Sequence, residues 1–324
     1  MLARRLRSIS LVIVLLPAMV LTLPLWLPIV CAIDLLSGRR RLPMARIGLM
    51  AIAYLANQWW GLSVVAWLTA TGRGRSATHH RDLQRRWVES LLRAGRPLLG
   101  VEFDLRGPEL PAGRVVMLSR HASMVDALVP VLLVEGRHQR PVHYALKAEL
   151  RNDPCLDIVG HRLDNWFVQR GNDTEREVAG LRALATRSSD DAAMAIFPEG
   201  TYATPGTRVR VQASLDEKGP ADAAALGREL QRLLPPKPAG VDALLDTATD
   251  ADVVFIGHTG LEGVAEARGL LATIPLRAPI VVDGWVVPRG EVPDGSQRVE
   301  WLHDQWRRLD RWVIDTANER ETQH

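Results

Sequence analysis

Two long apolar stretches open the chain, and short apolar runs separated by amphipathic segments fill the rest. The first stretch, Ile9 to Leu36, reads ISLVIVLLPAMVLTLPLWLPIVCAIDLL; the second, Ile47 to Ala70, reads IGLMAIAYLANQWWGLSVVAWLTA. Each is long enough to cross the hydrocarbon core of a bilayer, which takes about 20 apolar residues. Pro17, Pro24 and Pro28 argue against one straight helix through the first, because proline removes a hydrogen bond and crowds the preceding turn. In the second, Asn57 and Gln58 are costly in hydrocarbon, while Trp59, Trp60 and Trp67 suit the headgroup level. These features predict a membrane-docking helical hairpin over residues 1–75.

Beyond residue 76 the pattern changes. Runs rich in β-branched residues predict strands at 113–119, 142–147, 192–198, 252–258 and 278–287. Helical periodicity predicts helices at 82–94, 127–135, 174–187, 220–234 and 296–317. Strands alternating with helices imply an α/β domain over 76–324, with a mixed, largely parallel sheet flanked by helices. Its sites are expected at the carboxyl ends of the strands. In the last helix Val299, Leu302, Trp306, Leu309 and Val313 recur at spacings of three and four, an apolar face predicted to pack on the domain. The segment LLPPKPAG (233–240) reads as a stiff surface connection.

Charge sharpens the division. Residues 1–100 hold fourteen arginines and no lysine against three carboxylates, a net +11, and the remainder carries −8. A basic excess that coincides with the apolar runs points to an anionic lipid surface and not to nucleic acid. Arg4, Arg5 and Arg7, then Arg39, Arg40, Arg41 and Arg46, then Arg73, Arg75 and Arg81 flank the two runs. A hairpin that dips into one leaflet keeps all three clusters on the cytoplasmic face of the cell's inner membrane. Two full crossings would put the middle cluster outside, so the dipping hairpin is favoured. The first run is too long for a signal-peptide core and a second follows it. Cys31 and Cys155, with no CxxC or Cys/His cluster near them, indicate neither a disulfide scaffold nor a structural zinc.

Candidate chemistry sits where predicted strands end. In VVMLSRHASMVDALVP, His121 and Asp126 lie at a strand-to-helix turn. An imidazole removes protons near neutral pH, and a carboxylate on its other nitrogen fixes the tautomer. The plain alternative is a loop with two polar residues. Ser123 is a conceivable nucleophile without a glycine-flanked elbow around it. RLDNWFVQR ends in Arg170, whose planar fork suits phosphate, and Lys147 closes VHYALK; each alone also reads as a surface cation. AIFPEGTYATPG brings Glu199, Gly200 and Thr201 to the end of a buried strand, where glycine permits close backbone approach.

Taken in order, RHASMVD, FVQR and FPEGT resemble the three leading motifs of the glycerolipid acyltransferase family, in particular its 1-acyl-sn-glycerol-3-phosphate acyltransferases. The resemblance covers about residues 80–290 and is far more specific as an ordered set than any one motif. It implies a membrane-associated enzyme that moves a fatty acyl chain from acyl-CoA or acyl carrier protein to a lysophospholipid hydroxyl, without metal or cofactor. Phosphatidic acid is the implied product. His121 would be the base and Asp126 its orienter. Arg170 would bind the acceptor phosphate, with Lys147 as a further cation, and Glu199, Gly200 and Thr201 would shape the acceptor site. The chain departs from the family at Asn165 and Gln169 in the second motif, and at VVFIGHTG (253–260) in the fourth, where His258 and Thr259 either substitute or line a strand end. LLPPKPAG resembles the lysocardiolipin-type subgroup, in which a basic residue follows paired prolines. Another lysophospholipid acceptor, hydrolysis of a lipid or thioester, and lipid binding without catalysis are the competing readings.

Overall fold

The computed structural model describes residues 2–169 and 174–322. Helices α1 (Leu2–Leu21), α2 (Leu23–Leu36), α3 (Pro43–Ala70) and α4 (Ala77–Leu99) come first. Strands β1 (Phe103–Leu105), β2 (Val115–Ser119) and β3 (Val142–Lys147) lead to α5 (Pro154–Arg162) and β4 (Trp166–Val168). Next come α6 (Thr174–Arg187), β5 (Ala193–Ile196), α7 (Pro205–Lys218), α8 (Ala221–Glu229) and α9 (Pro238–Leu245). The chain closes with β6 (Asp252–Thr259), α10 (Ala267–Thr273), β7 (Ile280–Val287) and α11 (Gln297–Thr322). Two compact units result: one from residues 1–102, 146–170 and 267–279, the other from 103–145, 171–266 and 280–324.

The first unit is helical apart from β4. Its opening apolar run is broken, as the prolines predict: α1 and α2 meet at 73°. Pro24, in the first turn of α2, has no N–H to continue the ladder of α1. Among the described residues α3 is the one single helix long and apolar enough to cross a membrane, and the bent pair α1 and α2 reaches that length and apolarity only together. Its central amides do not face lipid. Asn57 donates to the Trp87 carbonyl at 3.0 Å, and Gln58 donates to Asp153 at 2.5 Å and accepts from the Cys155 amide at 3.3 Å. Such partners avert the roughly 1–3 kcal/mol cost of an unpaired buried polar group. Trp60 and Trp67 stay exposed on α3, as do Leu11, Val14, Leu21, Leu25 and Ile29 on the preceding helices. Not every arginine of the basic clusters faces outward: Arg4 and Arg5 ion-pair with the buried Asp157 at 2.8 and 2.5 Å. Burial would raise the Asp157 carboxyl, and the two guanidinium groups hold it below its ordinary value.

In the second unit six strands lie in the order β1-β7-β6-β2-β5-β3, with β3 passing its last two residues to the first unit. Only β6 and β7 pair antiparallel; the other pairings are parallel. The centre is set by composition. All five residues of VVMLS in β2 are buried, as expected for a strand covered on both faces. Leu118 of β2 sits level with Ile196 of β5 on one side and Phe255 of β6 on the other. The chain segments after β2 and β5 therefore leave the sheet along the same edge. Leu302, Trp306, Leu309 and Val313 of α11 are buried, so the predicted apolar face does pack on the domain.

Two local expectations differ from the structure. The helix expected at 127–135 is a 3-10 turn (Val125–Leu128) followed by a π-helical turn (Val131–Arg137); Pro130 between them has no N–H to donate to the preceding turn. LLPPKPAG is a surface connection only in its second half, where Lys237 and Ala239 are exposed. Leu233 to Pro236 are buried, and Asp310 of α11 accepts the amides of Gln231, Arg232 and Leu233 at 2.7–2.8 Å. Trp306 donates to the Leu234 carbonyl at 2.8 Å. Paired prolines give the first half few amides to satisfy, which lets it lie buried.

Candidate active site

At the carboxyl end of β2 the chain turns, and the short separation of His121 from Asp126 brings them side by side. His121 Nδ1 lies 3.0 Å from Asp126 Oδ1. The other carboxylate oxygen accepts the amides of Ala122 at 2.6 Å and Ser123 at 2.8 Å, so the aspartate caps the very loop that carries the histidine. Burial would raise the Asp126 carboxyl, but hydrogen bonds and charge from His121 and His258 outweigh it and hold the group well below the ordinary carboxylate range. Asp126 is therefore ionised at neutral pH. Charge complementarity puts the His121 proton on Nδ1 and leaves the Nε2 lone pair able to accept one. The imidazole packs between Phe197 and Tyr202, with ring centroids 4.4 Å away on each side.

The FPEGT turn at the end of β5 completes the frame. Glu199 is buried and spans two segments: Oε1 accepts the His121 amide at 2.8 Å and Oε2 the Leu234 amide at 3.0 Å. Burial pushes its carboxyl up to about 8, against the pull of the two amides. Gly200 holds φ +69°, and a Cβ there would come within 3.2 Å of Lys237 Nζ. Lys237 is itself tethered to the turn, its amide donating to the Pro198 carbonyl at 2.9 Å. Gly200→Ala is expected to cost about 1–2 kcal/mol, the price of a side chain in left-handed backbone, visible as a lower unfolding temperature.

His121, Asp126, Glu199, Gly200 and Thr201 thus share one edge of the second unit's sheet. Lys147 ends β3 within the first unit, and Arg170 lies outside the described residues. Ser123 accepts the Val125 amide on Oγ at 3.1 Å, a local brace for the turn. Two further residues join the site. His258 in β6 is fully buried with Nε2 3.4 Å from Asp126 Oδ2. Lys237 lies over Gly200 from a segment whose polarity and prolines read as surface. Its paired prolines before a basic residue were the one visible signal.

A buried imidazole–carboxylate pair thus stands beside a glycine turn that carries a lysine ammonium over it. Residues 102–254 match the family model described as Acyltransferase. Among curated proteins the chain is similar to lysocardiolipin acyltransferase 1 of Danio rerio, 23% identical over 224 residues. That match covers 66% of this chain and 55% of the relative, so the chain spans about half the relative's length. It is also similar to the crystal structure of the 1-acyl-sn-glycerophosphate (LPA) acyltransferase PlsC from Thermotoga maritima. That likeness covers 83% of this chain and 98% of the other, at 13% identity and a TM-score of 0.47.

Proposed function

We propose that the protein is a membrane-associated O-acyltransferase that moves a fatty acyl chain from a thioester, acyl-CoA or acyl carrier protein, to the free hydroxyl of a lysophospholipid. The pairing of His121 with Asp126 carries this reading, since it leaves a neutral imidazole with one basic nitrogen. His121 Nε2 takes the hydroxyl proton as the oxygen attacks the thioester carbonyl. The carbon–sulfur bond breaks, and the proton passes to the leaving thiolate. The alcohol attacks directly, so no acyl-enzyme forms. General-base help of this kind contributes about 10²–10⁴-fold, with positioning adding more.

The preferred acceptor is 1-acyl-sn-glycerol-3-phosphate, giving phosphatidic acid. Arg170 is the cation that the family resemblance assigns to its phosphate, and Lys147 is a further candidate read from the sequence. Within the second unit, Lys237 over the Gly200 turn is a candidate partner for an anionic acceptor. The buried LLPPK segment and the likeness to a lysocardiolipin acyltransferase support lysocardiolipin as the second candidate. Exposed apolar residues on α1 to α3, with the arginine-rich flanks, support docking on the anionic cytoplasmic face of the inner membrane.

The test is full-length protein in mixed vesicles with labelled acyl-CoA or acyl carrier protein and a panel of lysophospholipids, lysophosphatidate and lysocardiolipin among them. Labelled phosphatidic acid is expected. Free fatty acid without acylated lipid would make the protein a hydrolase, and lipid binding with no turnover a binding protein. Lys237→Ala is expected to raise the acceptor KM about tenfold with little change in kcat, the loss of one charge-assisted phosphate contact worth about 1.5 kcal/mol.

A further inference from the structure

We propose that His258 is a positioning residue for the His121–Asp126 pair: its Nε2–H reaches the Asp126 oxygen that His121 does not use and holds the carboxylate with Oδ1 facing the imidazole. The proposal rests on the acyl-transfer reading and extends it to a residue of the fourth strand segment, where the family resemblance assigns no role to a histidine.

The geometry singles out one tautomer. His258 is fully buried in β6. Its Nε2 lies 3.3 Å from the Arg120 carbonyl and 3.4 Å from Asp126 Oδ2. Both neighbours are acceptors, so this nitrogen carries hydrogen. Nδ1 is buried with no hydrogen-bond partner among the described residues. A second proton there would have no acceptor, and burying an unpaired charged group is costly. The surrounding charges agree. From the end of β2, Arg120 presents its guanidinium to the His258 carbonyl and to Glu262 Oε1, the latter at 2.7 Å. Glu262 is thereby committed to Arg120 and to the Gly260 amide at 2.7 Å. From α11, Arg320 reaches Thr259 Oγ1 at 3.2 Å. Glu199 stands on the far side of His121, bonded to its amide. The carboxylate that faces His258 directly is Asp126, and it also receives two loop amides on the same oxygen. His258 thus shares its neutral Nε2–H between the Arg120 carbonyl and Oδ2, which leaves Oδ1 to His121.

The consequence is a shift in basicity. Without this donor the Asp126 charge leans more fully on His121, favours the imidazolium, and raises the pH at which the base becomes free. His258→Leu is expected to move the acidic limb of the kcat/KM profile upward by about half a pH unit, a roughly threefold loss on the acid side. His258→Gln, whose side-chain amide keeps an N–H near the Nε2 position, is expected to restore the limb. An unmoved limb in the leucine variant, or glutamine and leucine profiles alike, overturns the proposal. Nitrogen NMR of the imidazoles in the wild-type chain, in lipid nanodiscs, gives a readout that needs neither variant nor turnover. A neutral Nε2–H tautomer for His258 throughout the range where the His121 ring titrates supports the proposal; an Nδ1–H or cationic ring overturns it. Because that spectrum is independent of acyl transfer, failure of the functional reading and failure of this proposal are told apart.

Discussion

Asp126→Asn is expected to lower acyl-transfer turnover by about 10³–10⁴-fold while leaving the fold intact. Asp126 Oδ2 accepts two backbone amides, and the asparagine carbonyl oxygen must take that place to keep the loop. Its amide NH₂ then faces His121 Nδ1, where the carboxylate oxygen had stood at 3.0 Å. That donor forces Nδ1 to become the acceptor, so the imidazole proton moves to Nε2. The nitrogen that should receive the hydroxyl proton no longer has a free lone pair. His121→Ala is expected to fall to the same floor, and the double variant to be no worse than either, because the two residues act as one device. Steady-state assays with labelled acyl-CoA, alongside thermal unfolding as a check on the fold, measure this. A variant of either residue that keeps near-normal turnover would remove His121 from the role of base.

Much of this site was legible because sheet position and motif coincide. VVML and AMAI are apolar throughout, which marks central strands, and the polar residues that interrupt such runs fall at their ends by necessity. That logic brought His121, Asp126 and Glu199 to one edge. It does not reach residues whose neighbours come from distant sequence. Lys237 joins the FPEGT turn because Asp310 and Trp306, 77 and 72 positions beyond the Leu233 and Leu234 they hold, pin the chain before it. A lysine between prolines has no local signature of that placement. Likewise Asn57 and Gln58 are costly in hydrocarbon when judged along one helix. Trp87 and Asp153, from other parts of the first unit, give them partners. His258 was visible as a departure from the family pattern, but only strand register puts it beside Asp126. The helix expected at 127–135 failed for a local reason that was legible: Pro130 sits inside it.

Glu199→Ala is expected to be the most damaging change away from the reacting atoms. The Glu199 carboxyl is the sole bridge described between the loop bearing His121 and the LLPPK segment, through amides at 2.8 and 3.0 Å. Alanine leaves two buried N–H groups without acceptors, each costing about 1–3 kcal/mol, so unfolding should move to clearly lower temperature. A base displaced by even about 1 Å loses on the order of 10²-fold in rate, and kcat should fall in that proportion. Glu199→Gln keeps one acceptor but turns an NH₂ toward the second amide, so its losses should lie between alanine and wild type. The pH dependence separates structural from electrostatic effects. The Glu199 carboxyl is raised from 4.5 to about 8, so across that window the folded chain holds a proton that the unfolded chain releases. Stability from this group is present below the lower value and declines as pH rises to the upper one. Glutamine cannot titrate, and its unfolding temperature should lose that part of the slope between the two values. If alanine and wild type share both rate and unfolding temperature, the bridge does not hold the base in place.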